Sequence, residues 1–409
     1  MRVLLLSDRI PPTTGGAGKI VWSLAGGLRD RGHEVHVVTA TQAGSGAETR
    51  AGIVVHSIHA QVPDRWRAYL SLYNPSAVKA FGEVLHRVGP DVVHAHNIHV
   101  DLSYGCLTAA HRCGIPVVFT AHDVMAIAYE KLRHYVSPST CPPPSPELYK
   151  LPLLHNLRQA RFRYNPFRNA CIRRTLRRDV RLRVAVSEAL RSALEANGLP
   201  DFRVVHNGVS AEEWRGSSRE AAELRTRFGL ENRQVVLVAG RVGAAKGSTE
   251  MLAALARVIP RVPSAHLLVL SDRPLPVDSV DGDVSQHIRF GGWLSGTELA
   301  AAFALSEVVV VPSVCLDALP TVILEAMATA KPVIATCHGG APDVVQDGVT
   351  GFIVNPFDTP RFAGRLIEVL VDKGLQARLG AAGHARFRAE FTLERFAQHM
   401  SDIYEEVVL

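Results

Sequence analysis

Two carboxylates stand eight residues apart in VCLDALPTVILEAMA: Asp317, just past the apolar run EVVVVPS (307–313), and Glu325, downstream of Pro320. A strand that runs out into a loop and then a helix puts the first acid in the loop and the second a turn into the helix. Pro320 suits the first helical position, where its missing N–H would be unpaired in any case. The amides of Thr321, Val322 and Ile323 are then left to bind an anion. Acids placed for hydroxyls around amides placed for a phosphate describe a site for a sugar nucleotide. In the same half, AGRVGAAKGS presents Arg241 and Lys246 five residues apart across a glycine-rich turn. Two cations beside a helix start answer a diphosphate of about two negative charges. Charge that builds on a departing phosphate oxygen strengthens their grip in the transition state. The pair Gly339–Gly340 of TCHGGAPD would let backbone approach the same ligand.

The first half carries its own candidates at the ends of apolar runs. SDRIPPTTGGAGK places Gly15, Gly16 and Gly18 ahead of a helix. A dinucleotide fingerprint fails because its third glycine would fall on Val21, and a phosphate-binding P-loop fails at Thr13 and Ile20. What remains is a glycine loop able to approach an acceptor hydroxyl or a phosphate, or a plain tight turn. HAHNIH clusters His94, His96 and His99, without the carboxylates a metal site would need, and reads as a hydrogen-bonding cleft wall. TAHD ends the next run with His122, suited to donate to a sugar hydroxyl, and Asp123, which either fixes the histidine tautomer or caps a following turn.

These residues need a frame, and the hydrophobic pattern supplies it twice. RVLLL, 34–39, 91–95 and 116–120 alternate with amphipathic stretches, and the pattern restarts at 234–239, 265–270, 287–290, 307–311 and 332–335. Continuous apolar strands separated by helices mean parallel sheets covered on both faces. The fold class is therefore α/β with two doubly wound Rossmann-like domains: 1–208, interrupted by a proline- and arginine-rich insertion at 124–180, and 209–387. A final helical segment, 388–409, carries an apolar stripe of Phe396, Met400, Ile403, Tyr404 and Val407, which must dock on something.

At 409 residues the chain suits two such domains, and 47% hydrophobic with 21% charged content excludes disordered and fibrous classes. No run approaches the ~20 apolar residues of a membrane span, and the first apolar run ends at Leu6, so a cytoplasmic protein is expected. Six scattered cysteines without a CxxC pair read as reduced, mostly buried thiols. The net charge is +6, yet ten arginines against Asp179 give +9 between His155 and Arg183, leaving −3 for the rest. Arg158–Arg183 is expected to meet an anionic membrane, peripherally at its inner face, or an acidic acceptor, unless it is merely a solvated, salt-bridged face. Aromatic interleaving is slight, so no specific nucleic acid is expected. Asp281-Gly-Asp283, a metal-binding pattern in some transferases, sits in a polar stretch that reads as a surface loop, so neither metal nor other cofactor is expected.

Taken in order, GGAG (15–18), TAHD, HNGV (206–209), AGRVGAAKG, PSVCLDALPTVILEAMA and GGAPDVVQDGVTGFIV resemble the retaining GT-B glycosyltransferases of family 4. The resemblance spans nearly the whole chain apart from 124–180. It implies two domains facing across a cleft, a C-terminal helix crossing back to the first, and transfer of a hexosyl unit from a UDP- or GDP-linked sugar to an acceptor hydroxyl of a glycan, glycolipid or small molecule. It implies that Arg241 and Lys246 hold the donor diphosphate and Glu325 the ribose hydroxyls. His122 would lie by the reactive carbon, Asp317 with the amides of Ala318 and Leu319 would bind the far side of the sugar, and Gly15, Gly16 and Gly18, with Asp123, would shape the acceptor side. Thr321 and Val322 complete the donor set. The pattern usually has glutamate where this chain has Asp317, one methylene shorter, and Asp343 is a second shortened acid. Two other readings stay open: a sugar-nucleotide epimerase, and a catalytically silent sugar-nucleotide binder.

Overall fold

Strands this rich in Val, Leu and Ile are stable only where both faces are covered, and the chain builds two such sheets. The computed structural model describes residues 1–12, 16–137, 145–275 and 282–409, the side chains of 282 and 283 excepted. The chain forms two units: Met1–Glu130 with Tyr149–Gly208 and Leu393–Leu409, and Lys131–Leu148 with Val209–Thr392.

The first unit holds β1 (Arg2–Ser7), β2 (Glu34–Thr41), β3 (Gly46–Arg50), β4 (Ile53–His59), β5 (Val92–Ala95), β6 (Val117–Ala121), β7 (Leu182–Ala185) and β8 (Phe202–Val204). Their order is β3-β4-β2-β1-β5-β6-β7-β8, parallel except for the β3–β4 pair. The second unit holds β9 (Gln234–Ala239), β10 (Ala265–Leu270), β11 (Ile288–Phe290), β12 (Val308–Val311), β13 (Val333–Thr336) and β14 (Gly351–Val354). These run β11-β10-β9-β12-β13-β14, all parallel. In each sheet the chain winds outward from a central strand and returns on that strand's other side, so the loops after β1 and β5, and after β9 and β12, diverge and leave room for a ligand.

Two features depart from the sequence reading. Residues 131–148 of the expected insertion belong to the second unit, while its arginine-rich part belongs to the first. The cysteines are not all buried reduced thiols: Cys337 is disulfide-bonded, Cys113 and Cys171 are exposed, and Cys106 and Cys315 are buried free thiols.

The final helix, Leu393–Val408, is part of the first unit, and all five residues of its apolar stripe are buried. It packs on the helix Gly16–Asp30, where a Cβ on Gly27 would stand 2.9 Å from Ala397 Cβ. Arg203 pairs with Glu406 at 2.8 Å, and His33 Nε2 bonds Ser401 Oγ at 2.8 Å. Burying Phe396, Met400, Ile403 and Tyr404 stabilises the docked helix by roughly 1.5–3 kcal/mol each.

Candidate functional site

In the second unit, two loops leave the sheet from neighbouring strands and are locked together. After β9 the chain turns through Ala244–Lys246 into the helix Ser248–Val258, and Ser248 Oγ accepts the Gly243 amide at 2.8 Å. After β12, Val314 N donates to Ala245 O at 3.1 Å, which joins the second loop to the first. Gly247 permits this approach: its φ is +73°, and a Cβ there would stand 1.8 Å from the Pro312 carbonyl oxygen. The end of β13 closes on the same loop, with Gly340 N donating to Asp317 O at 2.9 Å. Gly339, at φ +95°, has no room for a Cβ, which would lie 2.3 Å from that oxygen.

These contacts fix Asp317 where Lys246 reaches it. Lys246 Nζ donates to Asp317 Oδ2, and Ser313 Oγ donates to the same oxygen at 2.9 Å. A second ammonium, Lys131, stands beside both groups. Its segment is pinned by Leu316 N donating to Leu132 O at 2.8 Å and by Asn355 Nδ2 donating to Ser137 O at 3.1 Å. Burial works to raise the Asp317 pKa, but Lys246, then Lys131 and the Lys246 and Ser313 hydrogen bonds, overcome it and hold the carboxyl at about 2. Burial likewise opposes the Lys246 ammonium, and the Asp317 carboxylate outweighs it, so Lys246 stays above its ordinary pKa. Lys131 falls below its own through burial, with Asp317 resisting and Lys246 adding to the drop. One carboxylate between two ammoniums leaves a positive excess at the divergence of β9 and β12.

Arg241 stands exposed just beyond β9 and makes no ion pair among the described residues. The helix Thr321–Ala328 begins close by, since a Cβ on Gly240 would lie 3.9 Å from Val322 Cγ2. Pro320 takes the N-cap position and not the first helical one, and the Ile323 amide donates back to Pro320 O at 3.1 Å. Of the three amides expected to face an anion, Ile323 is thus committed elsewhere, and those of Thr321 and Val322 remain at the helix start. Glu325 lies in this helix, 5% exposed, and Ala318 and Leu319 are buried in the preceding loop.

The first unit treats its histidines differently from the expected cleft wall. His94 is buried, with Nδ1 on the Tyr404 hydroxyl at 2.6 Å and Nε2 on Thr120 Oγ1 at 2.7 Å, so it ties β5 to β6 and to the last helix. Burial pulls its pKa to about 3. His96 is buried too, and its Nδ1 meets His122 Nε2 at 2.9 Å. His96, and not Asp123, therefore orients His122. Since His96 Nε2 is buried without a partner among the described residues, the cheaper arrangement protonates His96 at Nδ1, which donates to His122 Nε2. His122 then carries its own proton on Nδ1, and burial holds its pKa at about 4, leaving it a neutral donor at physiological pH. Asp123 caps a turn through the Met125 amide at 2.8 Å and sits 3.5 Å from His99 Nε2.

Gly16 and Gly18 open the helix Gly16–Asp30, and Gly18 packs so closely on Arg9 that a Cβ would stand 2.4 Å from its carbonyl oxygen. Gly15 and Asp281 lie outside the described residues, as does the Asp283 side chain. Among the described residues no cluster of three His, Cys, Asp or Glu could hold a metal, and no helix is long and apolar enough to cross a membrane. Two groups of the site were missed: Lys131 lies outside every motif, and Ser313, though within PSVCLDALPTVILEAMA, was given no role. Lys131 precedes its partners by over a hundred residues, and the only hint was its place amid Leu132, Tyr135 and Val136 in a polar stretch. Ser313 is a single serine at a strand end.

The profile of Glycosyltransferase Family 4 matches residues 14–213, and that of Glycosyl transferases group 1 matches residues 233–372. Over 205 residues the chain is 32% identical to a GDP-mannose-dependent alpha-(1-6)-phosphatidylinositol monomannoside mannosyltransferase of Mycobacterium tuberculosis, covering 48% of this chain and 53% of that one. It thus spans about half the length of this relative. A sulfoquinovosyl transferase of Arabidopsis thaliana is 28% identical over 391 residues, 92% of this chain and 69% of its own. Among solved structures, sucrose-phosphate synthase of Thermosynechococcus elongatus shares the fold with a TM-score of 0.76 at 20% identity, over 99% of this chain and 98% of that one. The Anabaena protein HepE, solved in complex with UDP-glucose, gives 0.70 at 21% identity, over 99% and 100%. With both profiles matched in order and both sheets of the GT-B fold in place, the chain belongs to family 4 of the glycosyltransferases.

Proposed function

We propose that the protein transfers a hexosyl unit from a UDP- or GDP-linked sugar to an acceptor hydroxyl, with retention of anomeric configuration. The observation that carries this reading is the cationic cluster at the divergence of β9 and β12, where Lys246 and Lys131 flank one carboxylate and Arg241 stands without an ion pair among the described residues. A nucleoside diphosphate supplies the negative charge this cluster lacks, and the amides of Thr321 and Val322 add donors without charge. In the reaction, the bond from the anomeric carbon to the departing phosphate oxygen breaks as the acceptor oxygen bonds to that carbon on the same face. The acceptor's proton passes to the departing phosphate. Arg241 and Lys246 stabilise the charge growing on that oxygen, which is greater in the transition state than in the bound donor.

Asp317 and Glu325 are assigned to hydroxyls of the donor sugar and ribose, and His122 of the first unit to a ligand hydroxyl as a neutral donor. Lys131 acts with Lys246 in keeping Asp317 ionised. Side-chain cations answer the diphosphate, so divalent metal is not required, and a chelator is expected to leave turnover intact.

The test is a thermal-shift screen of UDP- and GDP-sugars followed by product analysis. A ligand that binds the folded state alone raises Tm with occupancy. Stabilisation by one donor class, release of free nucleotide in the presence of a hydroxyl acceptor and an anomeric configuration unchanged in the product are the expected results. An epimer formed without acceptor would establish the epimerase instead, and donor binding without turnover on any acceptor would establish a silent binder. No stabilisation by any nucleoside diphosphate would remove the site.

A further inference from the structure

We propose that the first unit carries a docking surface for an anionic lipid bilayer, built from the stretch Leu153–Phe167 and the neighbouring residues Trp66 and Tyr69. Leu153 is 99% exposed, Phe162 83% and Phe167 72%, and Trp66, in the segment that bonds to this one, is 51% exposed. Side chains this apolar normally find a core, and when several large ones share one face they mark a place where something else removes them from water. The two segments are adjacent although some 90 positions separate them: Asn165 Nδ2 donates to Ala68 O at 3.1 Å, and Tyr69 Oη donates to Tyr164 O at 3.5 Å. Asn165 N is in turn held by Tyr129 Oη at 3.1 Å, so the exposed rings sit on a fixed backbone.

The charge among these rings identifies the partner. No acid occurs between Glu147 and Asp179, and Arg158, Arg161 and Arg163 are exposed between Leu153 and Phe167. The bland account, a salt-bridged helix face, holds only further along. There Arg178 pairs with Asp179 and Arg183 with Asp201, Arg173 and Arg177 bond the carbonyls of Asn197 and Gly198, and Arg168 is buried. Arg158, Arg161 and Arg163 have no ion pair among the described residues, and Arg163 lies over the Phe162 ring at 5.5 Å. Beyond them an open hollow of about 560 Å³ is lined by Ala170, Arg173, Arg174, Arg177 and Arg178. Within 153–167 the arginines alternate with leucine and aromatic rings more closely than over the arginine-rich stretch as a whole, and with no carboxylate between Glu147 and Asp179 this segment matches the interface of a bilayer. There the apolar groups enter the acyl boundary, tryptophan and tyrosine sit at headgroup level and guanidinium groups meet phosphates. A soluble acidic partner would use the arginines and leave the rings unexplained.

The experiment is sedimentation of the full chain with vesicles of equimolar phosphatidylglycerol and phosphatidylcholine, and with vesicles of phosphatidylcholine alone. The chain should pellet with the anionic vesicles at low salt, weakly with the neutral ones, and release as salt rises. Each basic residue near an anionic leaflet gives roughly a fivefold gain in partitioning, so the triple variant R158Q/R161Q/R163Q should lose on the order of a hundredfold. The variant F162S/F167S should lose at least about tenfold while keeping its salt dependence. Emission of Trp66, isolated by difference from a W66F variant, should shift to the blue on binding. The altered residues are exposed, so thermal unfolding of the variants should match the parent and confirm that they fold. Failure to pellet with anionic vesicles, equal pelleting with neutral ones or an unaffected triple variant would overturn the proposal. It would equally fall if F162S/F167S behaved as the parent while a soluble polyanion such as heparin bound with the same salt dependence, because the surface would then serve an acidic macromolecule.

Discussion

Replacing Lys246 by Met separates the partnering of Asp317 from the diphosphate binding proposed for the same ammonium. The Asp317 carboxyl sits at about 2 against an ordinary 3.8, a difference that corresponds to roughly 2–3 kcal/mol of favourable interaction at neutral pH. Lys131 and Ser313 share in that total, while the burial that opposes ionisation stays when Lys246 is removed. A buried carboxylate stripped of its main partner is left undercompensated, so K246M should destabilise the second unit by about 2–3 kcal/mol. For a unit of this size that is a fall in Tm of about 5–10 °C. The sign of the pH dependence follows. The depressed folded-state pKa means Asp317 contributes above 3.8 and loses its contribution as pH falls towards 2. In K246M that loss should begin at higher pH. The double variant K246M/D317N removes both charges and should recover most of the stability. Nucleoside diphosphate binding should not recover, because a lost charge-assisted bond costs about 1.5–3 kcal/mol, or roughly 10- to 150-fold in Kd, in both variants. Calorimetric unfolding at several pH values and titration with UDP and GDP measure the two quantities. If the double variant bound nucleotide as the parent does, Lys246 would be a structural partner of Asp317 and the donor-site argument would fail; if K246M unfolded at the parental temperature, the electrostatic argument would.

Arg241 makes the opposite case: exposed and without an ion pair among the described residues, its change to Ala should leave the unfolding free energy within about 0.5 kcal/mol of the parent yet weaken UDP or GDP binding at least about tenfold, with nucleoside binding unchanged. Gly247→Ala, which would press a Cβ to 1.8 Å from the Pro312 carbonyl oxygen at φ +73°, should cost at least about 2 kcal/mol by chemical denaturation and lower nucleotide affinity by displacing Lys246. His94, held at about 3, and His96, held well below 6.5, stay neutral in the fold where the unfolded chain takes up protons. This pair alone should cost the first unit nearly 3 kcal/mol per pH unit between about pH 6 and 4, with His122 and His56, both held at about 4, acting in the same direction, and a flat stability profile across that window would contradict the buried neutral pair. Asp317→Glu should alter the ranking of UDP- and GDP-sugars in kcat/KM while leaving Kd for the free nucleoside diphosphates within about twofold, since the cations are untouched.

Much of this was legible because buried parallel strands write themselves as unbroken apolar runs. Val3–Leu6, Val235–Leu237 and Val308–Val310 could be read directly, and the residues after the last two are the ones that gather at the divergence of β9 and β12. The polar edge strand β3, GAETR, gave no such signal, because its place comes from backbone pairing with β4 and not from side-chain burial. His94 misled for the converse reason. At a strand end an imidazole suits a ligand or a core equally, and only the Tyr404 hydroxyl, 310 residues away, decides for the core. Lys131 was invisible since its segment docks by a backbone bond from Leu316 to Leu132, which no pattern of residue types encodes.

The shortened acid at 317 becomes intelligible once these contacts are considered together. A glutamate would extend its carboxylate one methylene further from the backbone that Gly339 and Gly340 hold in place, whereas aspartate keeps it against Lys246 and Ser313. The shorter side chain has fewer rotamers to lose, and its charge, held by two ammoniums, stays ionised despite burial. In the proposed donor site a diphosphate would compete with Asp317 for Lys246, while Lys131 would remain to neutralise the carboxylate. The second lysine would thus let the first divide its hydrogen bonds between protein and the proposed ligand without leaving the buried carboxylate unpartnered. An aspartate in this position is then compatible with an intact donor site, and the length of the acid bears on which sugar it reaches more than on whether the diphosphate binds.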